Sequence, residues 1–85
     1  MTTEEAMLEL RKGKRVRVND WPENDFIFRM PPDLSKLPAW LLKEFEHDQV
    51  LELNERSIYD EHLNEVGAVT LVENFDMDWE LYEEY

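Results

Sequence analysis

The chain has 85 residues, 42% hydrophobic and 12% aromatic, with a formal net charge of −12. That length suits one small domain with a modest core, and no apolar run approaches the roughly 20 residues a membrane-spanning helix needs. There are no cysteines, which excludes disulfides, thiolate metal sites and a Cys nucleophile.

The start, "MTTEEAMLEL", is acidic and lacks the charged and apolar regions of a secretory leader. Thr2 and Glu5 have capping-box spacing. Ala6, Met7 and Leu10 then recur at helical intervals, and Gly13 is placed to stop the helix. The expectation is a helix over 3–12. "KRVRV" (14–18) alternates: Val16 and Val18 point one way, Arg15 and Arg17 the other, as in a half-buried strand. "NDWPEND" is a turn in which Pro22 holds Trp21 extended. "FIFRM" (26–30) is a second strand, with Phe26, Phe28 and Met30 on one face and Ile27 and Arg29 on the other. The two strands form a hairpin with a longer loop.

"PPDLSKLP" is a loop with Ser35 as a candidate cap, and "AWLLKEFEHD" (39–48) has helical spacing through Ala39, Leu42 and Phe45. "QVLEL" (49–53) and "RSIYD" (56–60) read as strands around an Asn-Glu turn. "EHLNEVG" is a polar connection, and the β-branched "AVTLV" (68–72) reads as another strand. The last segment predicts a helical turn over 74–78 and a strand over 79–83. The order of elements predicts an α+β fold: a small single domain over 1–85, with an N-terminal helix, an antiparallel β-sheet and a second short helix.

Charge divides the chain. Residues 1–43 hold eight Lys/Arg and seven Asp/Glu; residues 44–85 hold one Lys/Arg and fourteen Asp/Glu. Such an exterior repels nucleic acid and anionic membranes, and attracts basic partners. The basic run from Arg11 to Arg17 is the exception. Lys14, Arg15 and Arg17 read either as ligands to nucleotide phosphates, which suit the planar fork of Arg, or as a solvated strand face paired with acidic neighbours. Trp21 reads as a stacking platform for a base or as a lid on the core. Asp78 reads as an acceptor for a ribose hydroxyl or as a turn residue, and Trp79 as an interface or core residue. Trp40 falls off the Ala39/Leu42/Phe45 face and is a candidate interface residue. His47 and His62 match no metal-ligand spacing. There is no Ser-His-Asp pattern and no Gly-rich phosphate loop, so neither catalytic residues nor a metal or cofactor is expected.

Two segments, "EEAMLELRKGKRVRVNDWPENDFIFRM" and "FDMDWELYEE", carry a resemblance. They are similar to the second Thoeris anti-defence family, small phage domains with a short helix, a Gly-Lys turn, a basic strand, a Trp after a turn and an Asp-Trp pair before the last strand. The resemblance covers about residues 4–30 and 70–83. The middle departs: it is acidic, Trp40 stands in a helical stretch, and Val69-Thr70-Leu71 has no Trp where the family pattern has one. The resemblance implies a cytoplasmic, homo-oligomeric protein of the infected cell. Without cleaving it, the protein would sequester a nucleotide-derived immune signal of the cyclic ADP-ribose type at subunit interfaces. Lys14, Arg15, Arg17, Trp21 and Asp78 would then be ligand-binding and Trp40 and Trp79 interfacial. The fourteen carboxylates of the second half support a different expectation: an acidic decoy that imitates DNA before a basic nucleic-acid-binding defence protein, such as a CRISPR nuclease.

Overall fold

The computed structural model describes residues 1–83. Helix α1 spans Thr3–Arg11 and begins at the reciprocal Thr2/Glu5 capping box. It ends in a Schellman pattern: the Gly13 N–H donates to Leu10 O at 3.0 Å and the Lys14 N–H to Glu9 O at 3.2 Å, with Gly13 at φ +85°. Strands β1 (Val16–Val18) and β2 (Ile27–Arg29) form the expected hairpin, with Val16 opposite Ile27.

A single turn of 3-10 helix at Leu34–Lys36 leads into α2 (Ala39–Glu44) and α3 (His47–Leu51). The predicted single helix over 39–48 is therefore two. Phe45 breaks it with extended backbone, φ −127° and ψ 153°, and turns its ring onto Phe28. The predicted strand over 49–53 is instead mostly the body of α3, which buries Val50 and whose Glu46/Gln49 capping box marks its start. Strand β3 (Ile58–Asp60) follows. The predicted strand over 68–72 is α4 (Val69–Glu73), which buries Leu71. Residues 74–77 are successive turns rather than a helix, and β4 (Trp79–Leu81) closes the sheet.

All neighbouring strands are antiparallel, in the order β3-β2-β1-β4. The register sets the faces, because directly opposed residues point the same way. Val16, Val18, Ile27 and Trp79 share one face and pack with Ala6 and Leu10 of α1 and Leu71 of α4. Phe28 and Tyr59 share the other with Phe26 and Met30, under Leu41 of α2 and Val50 of α3. Helices thus cover both faces of one α+β sheet. The radius of gyration, 12.1 Å, is that of one compact domain of this length, about 12 Å.

Coverage on both faces has a direct consequence for β1. A strand read from sequence as half-buried is buried on both sides, and Arg15, Val16, Arg17 and Val18 are each at most 9% exposed.

Candidate functional site

The basic run divides among separate environments. Arg15 points into the face covered by α2. Its guanidinium carbon lies 4.5 Å from the Trp40 ring centroid, 4.7 Å from Tyr82 and 5.3 Å from Phe26. Its Nη1 donates to Glu44 Oε1 at 2.6 Å. Three aromatic faces and one carboxylate therefore occupy this cation. Desolvated cation–π contacts are each worth up to about 2 kcal/mol, and the charge-assisted bond adds to them.

Arg17, 8% exposed, leans the other way along the same face. Its Nη1 donates to Glu23 O at 2.8 Å, its Nη2 donates to Trp21 O, and its Nε lies 3.5 Å from Glu80 Oε1. One guanidinium thus ties the 21–23 turn to β4. Lys12 and Lys14 both reach Glu9, at 3.2 and 3.4 Å. Their hydrogen bonds and charge hold the Glu9 carboxyl below its ordinary value, against the opposing effect of burial.

The ring of Trp21 does not join these cations, although its carbonyl accepts from Arg17. Its ring packs edge-on against Trp79 at 5.5 Å, in the cluster on the opposite side of the sheet. Trp79 is 2% exposed, and its indole N–H donates to Thr3 Oγ1 at 2.8 Å. The Thr3 hydroxyl in turn donates to Phe75 O at 2.7 Å, pinning α1 to the end of α4. Trp40 is half-buried against Phe26 and Phe28, and its indole N–H donates to Gly13 O at 2.9 Å. Both candidate interface tryptophans are therefore packed inside this chain. Asp78 is exposed, and its carbonyl accepts from the Asn19 N–H at 3.0 Å. It lines a cleft with residues 1–5 and 75–77, away from Arg15 and Arg17. The five candidate ligand-binding residues do not converge on one pocket within the monomer.

The cleft beside Arg17, about 340 Å³, is lined by Glu23, Asn24, Glu80, Leu81, Tyr82 and Glu83 as well. Three carboxylates around one internally bonded cation make it unfavourable for a phosphate. A smaller cleft of about 210 Å³ beside Trp21 holds Asp25, Asp60 and Glu61. Burial raises the Glu61 carboxyl above its ordinary value, and the neighbouring Asp25 raises it further; the Phe26 N–H, donating at 3.4 Å, opposes the shift. Asp60 Oδ1 is committed to the turn, accepting the His62 and Asn64 N–H groups at 2.8 and 2.9 Å. Among the described residues, no group of three His, Cys, Asp or Glu side chains could hold a metal ion. No described helix is long and apolar enough to cross a membrane.

Sequence reasoning missed Glu44, Tyr82 and Phe26 as partners of Arg15, and the Asp25/Glu61 pair. Glu44 lies 29 positions from Arg15, beyond any local spacing rule. The only available signal was an Arg on a strand facing an aromatic neighbouring strand. No protein-family model, curated protein or solved structure matches this chain.

Proposed function

We propose that this protein is a non-enzymatic binding module, a counter-defence decoy whose acidic exterior occupies the basic, nucleic-acid-facing surface of a partner protein. The observation that carries the reading is that the basic run is paired within the chain while exposed carboxylates are in excess. Arg15 is held by Glu44 and three rings, Arg17 by turn carbonyls and Glu80, and Lys12 and Lys14 by Glu9. Arg11, Lys12, Lys14, Lys36, Lys43 and Arg56 are exposed, but carboxylates outnumber them on the exterior: Glu46, Asp48, Glu52, Glu55, Glu65, Glu73, Asp76 and Asp78 of the second half are all exposed, against Arg56 alone. A field of one sign steers a basic partner and is steeply weakened by salt.

The test is competition. Labelled duplex DNA bound to a CRISPR nuclease or another basic DNA-binding defence protein is titrated with this protein, and anisotropy follows the released DNA. Displacement at low ionic strength that fades as salt is added is expected. Intact DNA complexes at every protein excess would overturn the reading. In parallel, cyclic ADP-ribose-type signals are incubated with the protein and assayed before and after heating. Depletion followed by recovery of intact nucleotide would transfer the function to sequestration, the activity implied by the family resemblance.

A further inference from the structure

Three apolar side chains remain on the outer side of α4 and its following turn. Val69, Val72 and Phe75 are 62%, 73% and 55% exposed. Val69 and Val72 stand three residues apart on the outer side of α4, Phe75 follows in the turn after it, and Leu71 points inward. The stripe does not end in flat solvent. Beside its start, Ala68 and Leu71 line a cleft of about 170 Å³ with Met7 and Leu10 of α1, where Arg11 and Arg29 also stand. At its end, Phe75 borders a cleft of about 500 Å³ that also carries Glu4, Glu5, Asp76 and Asp78. The one cation there is the Met1 ammonium, which donates to Trp79 O at 2.7 Å.

From this arrangement we infer that the Val69/Val72/Phe75 stripe is the docking surface for an amphipathic basic segment. The apolar side chains of that segment seat on the stripe while its Lys or Arg residues meet Glu4, Glu5, Asp76 and Asp78. The inference rests on the acidic-decoy reading and gives it a location and a partner chemistry. Charge complementarity selects this occupant over a second copy of the chain. Two copies each carry a net charge of −12 and repel one another, whereas a basic segment is attracted to the carboxylates at the end of the stripe. An apolar anchor inside a charged rim is the usual distribution of binding energy at interfaces.

The experiment uses the whole chain and two synthetic probes: an amphipathic helical Leu/Lys peptide and an oligolysine of equal charge. Isothermal titration at low and moderate ionic strength is expected to show the Leu/Lys peptide binding at least about tenfold more tightly than oligolysine. Val72→Ser/Phe75→Ser should remove that difference and leave the oligolysine affinity unchanged. Both positions are exposed, and an unchanged circular dichroism spectrum and melting temperature confirm the fold. Asp76→Asn/Asp78→Asn should instead weaken both probes and flatten the salt dependence. If oligolysine binds and the Leu/Lys peptide gains nothing, or gains a margin that Val72→Ser/Phe75→Ser leaves intact, the stripe has no such role and the acidic-decoy reading stands. If neither peptide binds at low salt, both are overturned.

Discussion

Arg15 shows how much a single side chain depends on its surroundings. On an exposed strand it would be a candidate phosphate ligand, and its loss would change stability by no more than about 0.5 kcal/mol. Beneath α2 it is 9% exposed, ringed by Trp40, Tyr82 and Phe26, and paired with Glu44. Arg15→Ala leaves that carboxylate without its partner and three rings without their cation, a cost of about 3 kcal/mol. The melting temperature should fall by roughly 12–24 °C, measured by circular dichroism; a shift within a few degrees would contradict the internal role. Glu61 gives the opposite sign. Its carboxyl value is raised by burial and then by Asp25, so the folded state binds a proton more tightly than the unfolded one. Stability therefore falls as pH rises from the ordinary value of 4.5 through the raised one. Glu61→Gln should raise the melting temperature at pH 7 and flatten that part of the profile. A variant with the parent's pH dependence would count against it.

At the scale of elements, local chemistry was legible where it was redundant. The Thr2/Glu5 box, the Gly13 stop and the β1/β2 alternation each combine several signals, and all three appear in the structure. Gly13 at φ +85° has space for a methyl, since an added Cβ would meet Pro38 Cγ at 3.6 Å, an ordinary contact. The cost of Gly13→Ala is thus backbone strain alone, about 1–2 kcal/mol, expected as a shift in the midpoint of urea unfolding with an unchanged slope. No shift in that midpoint would mean that the turn relaxes. Residues 49–53 and 68–72 misled because a mostly apolar stretch of five residues does not distinguish a strand from one buried helical turn. Val50 and Leu71 are the buried residues of α3 and α4, and Leu53 packs partly buried beside Val50. The β-branched Val69, Thr70 and Val72 favour a strand by propensity, but propensity is weak against tertiary packing.

At the scale of the whole molecule, a net charge of −12 on 85 residues sets up self-repulsion that screening relieves. Added sodium chloride should raise the melting temperature, followed by calorimetry; a decrease would mean that the internal ion pairs outweigh the surface field. The composition and patterning of the sequence by themselves determined the charge field, the helix–hairpin start, the antiparallel α+β class and the absence of cysteine chemistry, because each rests on local spacing or a sum over residues. What only the tertiary structure decided is where the basic run goes. A strand shows its two faces by alternation, but whether the second face meets water or another layer depends on segments far along the chain. Here α2 and α3 cover it. Arg15 and Arg17 become partners of Glu44 and Glu80, Trp21 is drawn to Trp79 on the opposite side, and the outward surface carries an excess of carboxylates together with the exposed apolar residues of α4.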